Sequence, residues 1–134
     1  MNSNGFVYYG YDPNKPDYIK IGETGGSLLD RILKAPKAYK FKIVLGFTID
    51  MEIPKRLKKP LLKAVEKRAQ FLLLAKYEGL YMPPYSNDWM EGDTATIQKI
   101  NNDGGVEKAI YQAFIETVPS SQGHIKVQYI SQGE

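Results

Sequence analysis

The sequence predicts an α+β fold, in which a small antiparallel sheet of about three strands packs against flanking helices. Short runs rich in aromatic and β-branched residues stand near the N-terminus, and segments with helical spacing of apolar residues follow them. The chain has 134 residues, of which 43% are hydrophobic and 25% charged. This length and composition are typical of a single globular domain.

Two N-terminal strands, "GFVYYGY" and "DYIKI", are expected on either side of the turn-forming stretch "DPNKPD". Because side chains alternate along a strand, Ile19 and Ile21 point to one face and Lys20 to the other. We expect the isoleucines to face the core. The helices are expected to cover part of the opposite face as well. Lys20 is therefore a stronger candidate for a functional role than an outward lysine that is open to water.

A short helix and a third strand are expected next. Ser27, with Asp30 three residues later, gives a weak capping signal for a helix from about Leu28 to Lys34. The stretch "FKIVLGFTI" then predicts a largely buried strand at 41–49.

The longest helix is expected in "PLLKAVEKRAQFLLLAKYEG", beginning at Pro60 and ending at Gly79. The preceding "IPKRLKK" is expected to form a basic turn or short helix that Pro60 ends. The paired prolines of "LYMPPYSNDW" predict a loop without regular structure. Two helices, "DTATIQKINN" and "VEKAIYQAFIET", and an edge strand in "HIKVQYI" (124–130) complete the chain.

Charge is unevenly distributed along the chain, whose formal net charge is +3. Residues 1–76 contain 15 Lys and Arg against 7 Asp and Glu, whereas residues 77–134 contain 3 against 8. A basic surface suits a polyanion such as nucleic acid, although solvated lysines explain the same composition. The acidic C-terminal part suits a protein interface, with a second copy or another partner.

Several functional classes are excluded by residues that the chain lacks. It has no cysteine and a single histidine, His124, so a disulfide framework, a zinc site and a Ser-His-Asp triad are not expected. "GETGGS" lacks the lysine of a P-loop. With no secretory signal and no apolar run as long as a membrane span, a cytoplasmic protein without membrane contacts is expected.

Two charged residues stand out on the predicted helices. Glu66 lies at the margin of the apolar arc of the long helix, where a carboxylate is costly unless it is paired or binds a metal. An ion pair with Arg31 or a solvated position explains Glu66 equally well, and Mg²⁺ is the hard cation it would suit. Arg31 could clamp a phosphate, or pair with Asp30 or Glu66.

The order of these elements resembles the GIY-YIG nuclease superfamily, in particular its T5orf172-like branch, which is common in phages and bacterial genomes. The resemblance is carried by Gly5-Phe6-Val7-Tyr8, Lys20-Ile21-Gly22-Glu23-Thr24, Arg31, Glu66 and "NDWM", and covers residues 5 to 92. It implies a GIY-YIG-like domain at 1–92, with residues 93–134 as a C-terminal extension packed on the same domain.

The resemblance also implies a catalytic site of Tyr8, Lys20, Arg31 and Glu66. Glu66 would hold a single Mg²⁺ or Mn²⁺ ion, Arg31 would stabilise the charge of the transition state, and Tyr8 would act as base. A tyrosine with an ordinary pKa near ~10 is a poor base at neutral pH, and the nearby Lys20 ammonium would favour the phenolate.

The expected function is therefore that of a small metal-dependent DNA endonuclease that hydrolyses phosphodiester bonds. Backbone contacts with DNA are expected from a set of basic residues, namely Lys34, Lys37, Lys40, Lys55, Arg56, Lys58 and Lys59.

Departures from the branch leave an alternative open. Lys20 replaces the second tyrosine, Gln70 stands where the branch often has a histidine, and Asp88-Trp89-Met90 replaces Glu-Trp-Phe. The alternative is a catalytically weak or inactive GIY-YIG-like module that binds nucleic acid or a protein partner. An unrelated α+β protein with chance motifs would not place Tyr8 and Lys20 on adjacent strands.

Overall fold

A computed structural model of the chain describes residues 4–34 and 41–130, without the side chains of residues 33 and 34. The described strands are β1 (Phe6–Asp12), β2 (Lys15–Thr24), β3 (Lys42–Ile49), β4 (Leu80–Tyr81), β5 (Trp89–Gly92) and β6 (Ile125–Tyr129). The described helices are α1 (Leu28–Lys34), α2 (Lys55–Lys76), α3 (Thr94–Asp103) and α4 (Gly105–Thr117), with a 3₁₀ turn at Pro119–Ser121.

The strands form one antiparallel sheet in the order β4-β5-β2-β1-β3-β6. The α+β class is confirmed, but the expected number of about three strands is wrong, because the sheet has six. β6 joins the same sheet at its edge, and two short strands lie where a loop was expected. The prolines at 83 and 84 interrupt only the connection between β4 and β5, where their missing N–H groups are not needed for pairing.

The long helix α2 begins earlier and ends earlier than expected. Pro60 was expected at its first position and Gly79 at its end, but α2 runs from Lys55 to Lys76 with Pro60 inside it. A proline removes one backbone hydrogen bond. The buried stripe of α2, which includes Leu62, Val65 and Leu73, outweighs that loss by packing on the sheet.

The sheet has a large core on one face and a small one on the other. Helices α2, α3 and α4 cover the first face, where their apolar residues meet Val7, Ile19, Ile21 and Leu45. The second face carries a smaller cluster of Phe6, Tyr8, Leu28, Phe41 and Ile43, to which α1 contributes Leu28. None of the helices in the described ranges has the length and apolar character of a membrane span.

Helix α1 forms where it was expected and lies close against β3. The Ser27 hydroxyl accepts a hydrogen bond of 3.0 Å from the Asp30 N–H at the start of α1. A Cβ atom at Gly46 of β3 would lie 2.8 Å from both methyl groups of Leu28. The absence of a side chain at Gly46 therefore lets α1 dock, and α1 carries Arg31.

We predict that Gly46→Ala destabilises the protein by about 1–3 kcal/mol, because the added methyl group overpacks the buried Leu28. Chemical denaturation measures the change. The control is Gly25→Ala, where no heavy atom lies within 4 Å of the added Cβ. Equal effects of the two substitutions would contradict the close docking of α1.

Candidate active site

Tyr8 and Lys20 lie on adjacent strands and on the same face of the sheet. Tyr8 of β1 is paired with Gly22 of β2, and Lys20 lies two residues before Gly22. A Cβ at Gly22 would lie 2.6 Å from the Tyr8 hydroxyl oxygen, so only glycine leaves room for this ring. The glycine of "IKIGET" thus positions Tyr8, which is 0% exposed.

Lys20 is buried among aromatic rings, although it carries a charge. Its Nζ lies 4.6 Å from the ring centroid of Phe41, 5.3 Å from that of Trp89 and 5.9 Å from that of Tyr8. The residue is 5% exposed, and its Nζ lies 3.1 Å from Asp88 Oδ2. Burial lowers the pKa of Lys20, whereas the carboxylate of Asp88 raises it.

Arg31 approaches the same group from α1. Its Cζ lies 5.4 Å from the ring centroid of Phe41, and the Phe41 ring stacks on Tyr8 with centroids 6.2 Å apart. Burial raises the pKa of Tyr8 to about 12, and the positive charge of Arg31 opposes that rise. The phenol is therefore protonated at neutral pH, and Arg31 is a cation near enough to influence it.

Glu66 lies on α2 and is 2% exposed. Its Oε1 is 3.2 Å from Lys63 Nζ and 4.0 Å from Lys67 Nζ. The Lys63 contact is close enough for an ion pair but lacks hydrogen-bond geometry, so Oε1 has no hydrogen-bond partner among the described residues. Burial raises the pKa of Glu66, and the two lysines oppose the shift. The nearest ion-pair partner of Glu66 is thus Lys63, and not Arg31, which the sequence analysis gave as one possible partner.

A cleft of about 600 Å³ opens beside these residues. Its described walls contain four cationic side chains, two carboxylates and four aromatic rings, together with Ser86 and Asn87: Asp12, Lys15, Tyr18, Lys20, Arg31, Phe41, Lys63, Tyr85, Ser86, Asn87, Asp88 and Trp89. Tyr8 and Glu66 are not among them. Each instead interacts with a residue that lines the cleft. The charge of Arg31 acts on Tyr8, and Lys63 forms an ion pair with Glu66.

Among the residues that the structure describes, none of the basic residues expected to contact DNA lines this cleft. Lys37 and Lys40 lie outside the described residues, as does the side chain of Lys34 at the end of α1. The others form the first turns of α2, where Lys55, Arg56 and Lys59 are exposed and Lys58 is partly buried.

Gln70, which departs from the family pattern, and Asn87, the first residue of "NDWM", both have structural contacts. Gln70 is buried, and its Nε2 donates a 2.9 Å hydrogen bond to the carbonyl oxygen of Ile21, which ties α2 to β2. Asn87 lines the cleft, and its backbone oxygen accepts a 3.0 Å hydrogen bond from Lys67 Nζ. Gln70 therefore contributes to the fold, and Asn87 to the wall of the cleft.

Sequence reasoning missed two charged partners, Lys63 and Asp88. Lys63 precedes Glu66 by three residues, a spacing that places both on one side of a helix, so the sequence contained a signal for this pair. Asp88 meets Lys20 only because β5 pairs with β2. That contact spans 68 residues of chain, and no local pattern indicates it.

Comparisons with protein-family models, with curated proteins and with solved structures find no match for this chain. The GIY-YIG assignment accordingly stays a prediction from the order of the sequence motifs.

The raised pKa of Glu66 predicts a pH-dependent effect of Glu66→Gln on stability. Above the ordinary carboxyl pKa of 4.5, the unfolded chain loses this proton before the folded protein does, so wild-type stability falls as pH rises through the raised pKa. The glutamine variant does not show this fall. Its free energy of unfolding, relative to wild type, should therefore be higher at pH 7 than at pH 4.

Denaturant unfolding at the two pH values measures this difference. Glu78→Gln is the control, because Glu78 is exposed just after α2. A Glu66→Gln effect that does not change with pH would contradict the burial of a charged carboxylate.

Proposed function

We propose that this protein is a small metal-dependent endonuclease of the GIY-YIG type, which hydrolyses DNA phosphodiester bonds at the cleft. The observation that carries the proposal is the convergence of Tyr8, Lys20 and Arg31, from two strands and a helix, on one face of the sheet. Glu66 lies on α2, and its charge influences the pKa of both Tyr8 and Lys20. Three residues from separate elements have little structural reason to meet on one face.

Glu66 fits the role of ligand for one divalent cation. Its Oε1 is buried without a hydrogen-bond donor, and such an oxygen is stabilised by a cation. No cluster of three or more acidic or histidine residues capable of holding a metal occurs in the described part of the chain. Mg²⁺ and Mn²⁺ suit a site with one carboxylate, where water and substrate phosphate supply further oxygens. Such an ion would stabilise the negative charge that develops on the phosphate.

Arg31 has two tasks in the proposed reaction. Its guanidinium lines the cleft, where it can bind a phosphate oxygen, and its positive charge lowers the pKa of Tyr8. We therefore assign to Arg31 part of the activation of Tyr8 that the sequence assigned to Lys20 alone. Lys20 lies over the ring face, with its charge balanced by Asp88, which makes it a weaker influence on the hydroxyl.

We predict that Glu66→Ala reduces cleavage of labelled DNA in Mg²⁺ or Mn²⁺ by at least about 100-fold, the usual cost of removing one electrostatic element of a catalytic site. Gel electrophoresis of end-labelled duplex and single-stranded DNA measures the rate. Glu78→Ala serves as the control on the same stretch of chain, and circular dichroism checks that each variant is folded. Unchanged cleavage by Glu66→Ala would refute the metal-binding role of Glu66.

A second candidate function is a catalytically weak module that binds nucleic acid or a protein partner. Two observations favour it: the Tyr8 phenol is fully buried with a pKa of about 12, and Lys63 already provides a cation for Glu66. Such a module would use the exposed basic residues of α2 for nucleic acid, or the acidic C-terminal part for a partner protein or a second copy.

We predict that the first turns of α2 contribute salt-sensitive DNA binding in both candidate functions. The double variant Lys55→Ala/Arg56→Ala should reduce the slope of log affinity against log salt by about 1 for each phosphate that the variant no longer neutralises. Fluorescence anisotropy at several salt concentrations measures this slope. Lys99→Ala/Lys108→Ala, with one change on each of α3 and α4, is the control. Equally reduced slopes in both variants would contradict a localised DNA surface.

A further inference from the structure

Three aromatic side chains form a corner in the wall of the cleft: Tyr18, Tyr85 and Trp89, here called the aromatic corner. The Tyr18 ring meets Trp89 edge to face, with centroids 6.5 Å apart and an interplanar angle of 80°. The Tyr18 and Tyr85 hydroxyl oxygens are 3.3 Å apart and share a hydrogen bond. Tyr85 is 77% exposed, although its ring is a large apolar surface.

The Tyr85 side chain is exposed, but its backbone lies in a turn that is fixed by hydrogen bonds. The Ser86 N–H donates a 3.0 Å hydrogen bond to the Pro83 carbonyl, which closes a four-residue turn with Pro84 and Tyr85 at its centre. Ser86 Oγ in turn accepts hydrogen bonds of 2.8 Å from the Trp89 N–H and 3.3 Å from the Asp88 N–H. An exposed ring on a fixed turn contributes little to folding, but it is well prepared for stacking on a flat ligand.

Cations line the same cleft as the aromatic corner. Lys15 Nζ lies 6.0 Å from the Tyr18 ring centroid, and Arg31 and Lys63 line the same cleft. Aromatic faces next to basic side chains match the two parts of a nucleotide, its base and its phosphate. A volume of about 600 Å³ is in the range that takes a ligand of drug size, which fits one nucleotide better than a base-paired duplex.

We infer that the aromatic corner binds one unpaired nucleotide of a nucleic-acid strand, with its base stacked on Tyr85 or Tyr18 and its phosphate beside Arg31. A base inside a duplex is covered on both faces by its neighbours, so only an unpaired or extruded base can use these rings. The inference rests on the proposed function where it places this nucleotide at the cleavage site. It names single-stranded or unpaired nucleic acid as the substrate class.

The test compares the binding of a fluorescein-labelled oligothymidylate with that of a blunt DNA duplex of the same length, in EDTA and at fixed salt. Tyr85→Ala should weaken binding of the single strand about tenfold, the usual contribution of one stacked base, and change duplex binding less than about twofold. Tyr85→Phe should retain single-strand binding, because it keeps the ring and removes only the hydroxyl group. Tyr129→Ala is the control, since Tyr129 is 70% exposed on the opposite edge strand β6.

The inference is overturned if Tyr85→Ala weakens both ligands equally or neither, or if Tyr85→Phe is as weak as Tyr85→Ala. It is also overturned if thymidine monophosphate displaces the strand at equal molar concentration, since the site would then serve free nucleotides. Cleavage in Mn²⁺ is measured separately. If binding depends on Tyr85 but no cleavage occurs, the proposed nuclease function is refuted and the nucleotide-binding site is retained. If cleavage occurs but binding does not depend on Tyr85, the nucleotide-binding site is refuted and the nuclease function is retained.

Discussion

The second face of the sheet is organised around a charge that water hardly reaches, the ammonium group of Lys20. Removing such a group from water costs several kcal/mol unless its surroundings replace the missing hydration. Here Asp88 and the faces of Phe41 and Trp89 do so. Asp88 and Trp89 reach Lys20 only through the pairing of β5 with β2 and the 3.1 Å hydrogen bond from the Ile21 N–H to the Asp88 carbonyl. The short strand β5 is therefore part of the site.

The two faces of the sheet have different roles. The large core under α2, α3 and α4 contains most of the buried apolar residues, and Gln70 fastens α2 to β2 within it. The small core on the other face surrounds Tyr8 and Lys20, with Arg31 beside its Phe41 ring, whereas Glu66 lies on α2. It depends on two places where a glycine allows close approach, Gly22 under the Tyr8 ring and Gly46 under Leu28. A protein built in this way can vary its site on one face while its stability rests largely on the other.

Local patterns predicted the elements that carry the site better than they predicted the sheet. Alternation along β2 separated Lys20 from Ile19 and Ile21, and capping by Ser27 defined the start of α1. Strands of two and four residues are too short for a periodic pattern, so β4 and β5 were missed on either side of the prolines. The early start of α2 was missed because the apolar stripe after Pro60 outweighed the local effect of the proline.

Charge balance within the site distinguishes the cations that are paired with a carboxylate from those that are not. Lys20 is paired with Asp88 and Lys63 with Glu66. Among the described residues, Arg31 and Lys15 have no carboxylate within ion-pair distance, and Arg31 lies near the Phe41 ring.

Arg31 is therefore available to an incoming phosphate, whose negative charge would raise the pKa of Tyr8 further. A nuclease that uses Tyr8 as its base needs a second positive charge near the hydroxyl once phosphate is bound. Under the proposed function, a divalent cation on Glu66 would supply it, with the buried Oε1 exchanging the Lys63 ammonium for that cation. The difference between the two candidate functions thus reduces to whether Glu66 keeps Lys63 or releases it.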